Sequence, residues 1–117
     1  MVQLGYQFKC RDKDGILVTC SKSQWRNYII LKHPEVMDCE DIIKRIISNP
    51  SGVWKNKSQP ERVAIYEPIA LPVPVSYPYV RVVIEYCEKK NKTVGYVINA
   101  FHCANIRKGD YLAWKRK

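Results

Sequence analysis

The sequence is short of the residues from which the commonest enzyme motifs are built. Its 117 residues include only five glycines and two histidines, and they assemble no glycine-rich phosphate loop, no H-E-x-x-H and no G-x-S-x-G. Nucleotide-driven motors, zinc proteases and serine hydrolases of the common kinds therefore lack their required parts. Long apolar runs are missing too. Tyr28 to Leu31, and Ile69 to Val75 broken by Pro72 and Pro74, fall far short of the ~20 residues needed to span a bilayer. Met1 to Cys10 has no basic stretch leading into an apolar run, so it does not read as a secretion signal. The five cysteines, Cys10, Cys20, Cys39, Cys87 and Cys103, contain no C-x-x-C pair. An odd, scattered set suits neither a zinc ribbon nor a disulfide framework. It points to a cytoplasmic protein with reduced, mostly buried thiols, and no metal or cofactor is expected.

What the chain does have is apolar content and positive charge. Hydrophobic residues make up 46%, which is enough for a folded core, and the length fits one domain over residues 1–117. Lys and Arg number 20 against 11 Asp and Glu, for a net charge of +9. The excess is spread over both halves, with ten basic and six acidic residues in 1–60 and ten and five in 61–117. A basic tail is therefore excluded. The densest stretch is at the C-terminal end, where Arg107, Lys108, Lys115, Arg116 and Lys117 face only Asp110. A polyanion is the first partner such a balance suggests, and solubility is the plain alternative.

Leu4 to Arg11 and Ile16 to Cys20 flank Asp12-Lys13-Asp14-Gly15, which predicts an N-terminal hairpin. Ser21 is placed to cap a helix carrying Trp25, Tyr28, Ile29 and Lys32 at helical spacing, and Pro34 ends it just after His33. A second helix after Asp38 puts Ile42, Ile43, Ile46 and Ile47 on one stripe and ends at Asn49-Pro50-Ser51-Gly52. The period then becomes strand-like in Val53-Trp54, Arg62 to Tyr66, Tyr79 to Cys87 and Thr93 to His102. Leu112, Ala113 and Trp114 close the sheet or pack on its edge. The expected class is α+β, with an N-terminal hairpin and two helices packed on a roughly four-stranded antiparallel sheet.

Metal-free RNA cleavage needs little from a protein. The 2′-OH attacks the adjacent phosphorus, so the protein positions the strand, moves protons and balances charge. Histidine suits the proton transfer and arginine the charge. His33 stands at a helix end, where it serves either as a cap on terminal carbonyls or as an acid/base group. His102 ends a strand. Arg81 alternates with Val80 and Val82 and so falls on the face away from the core, where it is either a phosphate contact or a solvated side chain. Tyr66, Tyr86 and Tyr96 offer base-stacking surface, although aromatics in strands also serve as packing.

Several short motifs occur in a familiar order: Trp25-Arg26-Asn27-Tyr28-Ile29 leading into His33-Pro34-Glu35-Val36, then Asp41-Ile42-Ile43, then Ser48-Asn49-Pro50-Ser51-Gly52-Val53-Trp54. Tyr66, Val80-Arg81-Val82-Val83-Ile84 and Gly95-Tyr96-Val97-Ile98-Asn99-Ala100-Phe101 follow. Over roughly residues 4 to 114 this resembles the phage-type branch of the barnase–EndoU–colicin–RelE-like (BECR) nucleases. The resemblance implies a barnase/RelE-like fold and a metal-independent RNase or tRNase of toxin or phage type, with RNA as substrate and an antitoxin or immunity protein as partner. It also implies catalytic roles for His33, Arg81 and Asn99. Asn99 departs from the threonine expected there: asparagine can donate to a phosphate but cannot transfer a proton. Tyr66, His102, Lys108, Lys115 and Arg116, with Lys117 beside them, are the expected nucleic-acid contacts. The alternatives are a catalytically inactive nuclease-like fold that binds nucleic acid or protein, and an interaction protein that uses the apolar loop from Ile69 to Val75.

Overall fold

The computed structural model describes residues 5–68 and 78–117. Its chain begins with the expected hairpin, in which β1 (Tyr6–Arg11) runs antiparallel to β2 (Leu17–Ser21). In the turn, Asp12 Oδ1 accepts hydrogen bonds from the amides of Asp14 and Ile16 at 2.8 and 2.9 Å. Gly15, at φ +79°, takes the left-handed position that a side chain would resist.

Ser21 then opens a helical segment, its hydroxyl accepting from the Gln24 amide at 3.0 Å. The segment is not one regular α-helix. Two α-helical turns, Lys22–Gln24 and Ile30–Lys32, flank a π-helical stretch, Trp25–Ile29, in which Trp25 and Ile29 are both buried. A 3-10 turn, Pro34–Val36, leads to the nine-residue helix Glu40–Ser48, with Ile43, Ile46 and Ile47 buried and Glu40 and Asp41 in the first turn.

Five further strands follow: β3 (Gly52–Asn56), β4 (Arg62–Pro68), β5 (Tyr79–Lys89), β6 (Lys92–Cys103) and β7 (Asp110–Lys115). All seven join one sheet in the order β1-β2-β6-β5-β4-β3-β7. Every pairing is antiparallel except β2 on β6, where Val18 and Thr19 lie beside Gly95 and Tyr96.

This overturns the expected architecture of two helices packed on a four-stranded antiparallel sheet. The sheet is mixed and has seven strands, and the helices are short. The physical cause lies at its two edges. An isolated hairpin is marginal in water, and by joining β6 the first hairpin buries Phe8, Val18 and Cys20 in the common core. At the other end β7 pairs along β3, so that strand does not remain an open edge.

The helices cover one face of the sheet, where Val18, Ile29, Ile43, Val80, Val82 and Ile84 are fully buried. β5 alternates as expected, with Arg81, Val83 and Glu85 on the opposite, distal face. On β6 the alternation breaks. Val83 pairs with Asn99 but Ile84 pairs with Val97, so Ile98 is an extra, bulged residue. Val97 and Asn99 thereby reach opposite faces although they are two apart, and the bulged carbonyl of Ile98 accepts from Gln24 Nε2 at 2.7 Å. The apolar loop from Ile69 to Val75 lies outside the described residues. Among those described, no helix is long and apolar enough to cross a membrane.

Candidate functional site

The distal face is organised around Arg81. Its Nε donates to Tyr66 Oη at 2.9 Å, and its Nη2 lies 3.6 Å from Asp110 Oδ2. Tyr66 in turn donates to Asp110 Oδ2 at 2.6 Å and accepts from the Arg107 amide at 2.9 Å. The other carboxylate oxygen of Asp110 accepts from Asn56 Nδ2 at 3.0 Å. Arg81 and Asp110 sit three strands apart in the sheet order, and spacings of about 4.8 Å per strand in a flat sheet would keep them from meeting. The sheet therefore curls to bring them together. Only 10% of the Arg81 side chain and 3% of the Asp110 side chain remain exposed, so this is a buried charge pair.

The network sets the protonation states. Burial and the bond to Asp110 raise the Tyr66 pKa, opposed by the Arg107 amide and by Arg81. For Asp110, burial pushes upward, but the bonds from Tyr66 and Asn56 and the Arg81 charge outweigh it and hold the carboxyl below its ordinary range. At neutral pH Tyr66 is a donor and Asp110 an anion, so neither is a general base.

His33 reaches this face around the edge of β6. Past Tyr96 that edge has no strand from the hairpin beside it, and the helical segment lies along it instead, held by the Gln24 bond to Ile98. The imidazole stacks on Phe101 with 4.8 Å between centroids and 24° between planes. Phe101 pairs with Arg81 across the strands, and the guanidinium carbon lies 5.5 Å from the centroid of the Phe101 ring. One aromatic ring thus contacts both the imidazole and the guanidinium. His33 Nδ1 lies 3.6 Å from Glu35 Oε2, so a carboxylate borders the imidazole.

Asn99 is the next distal-face residue of β6, opposite Val83. Its Oδ1 accepts from the Ala100 amide at 3.0 Å, which leaves the amide nitrogen as the group able to meet a ligand. Tyr66 is placed differently from a stacking platform. Its ring is 2% exposed and packs edge-on against Trp54 and Tyr79. His102 pairs with Val80, and strand alternation puts it on the helix face, where its Nε2 is buried without a partner. Lys108 is exposed beside Arg107, and Lys115 is exposed at the end of β7. Arg116 turns away, its guanidinium bonding the Asn49 carbonyl at 3.3 Å.

The structure therefore brings together His33, Arg81 and, beside them, Asn99, leaves Lys108 exposed next to Arg107, and separates His102 and Arg116 from them. The sequence reading missed Phe101, which joins His33 to Arg81, and Asp110, which neutralises Arg81. The available signal for Asp110 was its place as the sole acid in the basic C-terminal stretch. Across the other face, a cavity of about 440 Å³ lies between Lys13, Ile47, Val63 and Trp114; of the candidate residues only Tyr86 is in its wall, with its hydroxyl donating to Asp12 Oδ2 at 2.6 Å. Fold and site together define a small protein built on one mixed seven-stranded sheet, with an imidazole and a guanidinium on one aromatic ring. Comparison with known families, curated proteins and solved structures finds no match to this chain.

Proposed function

We propose that the chain binds RNA and cleaves it as a metal-independent endoribonuclease. The observation that carries this reading is the stack of His33 on Phe101, with Arg81 on the same ring. His33 takes the proton of the 2′-OH as its oxygen bonds to phosphorus. The bond from phosphorus to the 5′-oxygen breaks, and that oxygen collects a proton from solvent, leaving a 2′,3′-cyclic phosphate and a 5′-OH. Glu35 stands beside the ring, its carboxylate 3.6 Å from Nδ1. Asn99 donates to a phosphate oxygen, while Lys108 and Lys115 hold the backbone. Arg81, balanced by Asp110, is a positioning residue that fixes the ring on which His33 rests. Action on cellular RNA would place the protein in the cytoplasm.

The test is incubation of the purified protein with labelled RNA in EDTA. Cyclic phosphate ends are expected, and unchanged cleavage by His33→Ala would overturn the role of His33. The buried Arg81–Asp110 pair favours a second reading, an RNA-binding module without catalysis, because the guanidinium that shares a ring with His33 is already balanced by a carboxylate. Salt-sensitive binding without cleavage in the same assay supports that reading over the enzyme.

A further inference from the structure

We infer that the hollow between β3, β4 and β7, beside Tyr66, is a subsite for one unpaired base of single-stranded RNA. This inference rests on RNA being the ligand of the adjoining site. The hollow measures about 280 Å³ and is walled by Trp54, Tyr66, Tyr79, Ile106, Leu112 and Lys115. That is just under the range of about 300–1,000 Å³ typical of small-molecule sites, which suits a single planar ring system.

Three features select a base and its phosphate over other ligands. The wall is aromatic and aliphatic, and the fold leaves Ile106 41% and Leu112 48% exposed where burial would favour covering them. The exposed charged groups around it are basic. Lys115 lies in the wall, and Arg107 and Lys108 stand exposed on the segment whose amide bonds Tyr66. The neighbouring carboxylates are already engaged, Asp110 by Arg81, Tyr66 and Asn56, and Glu67 by Ser51 at 3.0 and 2.6 Å. An apolar slot with a cationic rim matches a base carried on a phosphodiester and disfavours an acidic or basic side chain inside the slot. Tyr66 is shared by both places, with its ring in this wall and its hydroxyl in the Arg81 network. A strand crossing His33 can therefore continue into the hollow.

Fluorescence anisotropy with a 2′-O-methyl octanucleotide, which lacks the attacking hydroxyl, measures binding without cleavage. The probe is compared with an abasic chain of the same length. The base-bearing chain is expected to bind about tenfold or more tighter, the range of base stacking. Leu112→Glu alters an exposed side chain and should leave the circular dichroism spectrum and melting point close to the parent, yet remove that preference. Lys115→Gln should weaken both chains alike and lower the salt slope by about one ion. Equal affinity for the two chains, or a preference that survives Leu112→Glu, overturns the subsite. So does a dimer in sedimentation that Leu112→Glu dissociates, because a second copy would then fill the hollow. If RNA is still cleaved while the preference is absent, only the subsite fails. If neither chain binds and RNA is not cut, the proposed function fails with it.

Discussion

Replacing Asp110 by asparagine tests the reasoning at its most exposed point. The carboxylate accepts from Tyr66 and Asn56 and faces the Arg81 guanidinium, with 3% of its side chain exposed. Asparagine keeps the shape but removes the charge and turns one acceptor into a donor, so Asn56 or Arg81 meets another N–H. The guanidinium cannot shed its proton and is left buried and unbalanced, a situation that costs about 3–5 kcal/mol. Against a total stability of about 5–15 kcal/mol this is a large fraction. Urea unfolding followed by tryptophan fluorescence should show the midpoint falling with the slope unchanged. The double variant Arg81→Met, Asp110→Leu should lose much less than the sum of its two single changes, since it buries no charge. A cost below about 1 kcal/mol for Asp110→Asn, or additivity in the cycle, would refute the account of the pair. The pH dependence has a definite sign. The folded-state pKa of Asp110 is depressed, so its contribution is full above the ordinary carboxylate range and is lost as pH falls through the lowered value. Asp110→Asn should therefore flatten the acid limb of stability against pH.

Gly109 stands at φ +94°, and a Cβ there would come within 3.0 Å of Asn56 Nδ2, the donor to Asp110. Gly109→Ala should cost about 1–2 kcal/mol from the backbone alone, read as a fall in melting temperature, and an unchanged melting point would count against the turn. The β5–β6 hairpin turns at Lys90 and Asn91, both left-handed at φ 53° and 64°. Lys90→Asn with Asn91→Gly should stabilise the fold by about 1 kcal/mol, because this pair suits a type I′ turn; calorimetry checks it. Burial, aided by Glu40, pushes the Cys20 thiol up to about 12, whereas Cys87 is exposed. A thiol reagent at pH 8 should titrate Cys87 quickly in the native protein and Cys20 only after unfolding.

Local chemistry was legible wherever a few neighbouring residues decide it. Asp12 and Gly15 specify the first turn, Ser21 caps the first helical segment, and the isoleucines of Glu40–Ser48 mark a buried stripe. The alternation of Val80, Arg81 and Val82 assigns Arg81 to the distal face. The same reasoning fails on β6, because the bulge at Ile98 shifts the register by one and no local pattern announces it. Residue type alone suggests a stacking surface at Tyr66, whereas its hydroxyl is claimed by groups from β5, β7 and the segment before β7.

The sequence by itself determined the small size, the excess of positive charge, the first turn, the helix stripe and the side of the sheet on which Arg81 stands. All of these follow from composition and from periods of two or 3.6 residues, which act over a few neighbours. Only the tertiary structure decided that the hairpin and the C-terminal strand extend one mixed sheet, that His33 meets Arg81 through Phe101, and that Asp110 neutralises that arginine. Those outcomes depend on which edges pair and how far the sheet curls. They are settled by burying apolar faces and balancing a desolvated charge between residues as far apart in the chain as His33 and Phe101.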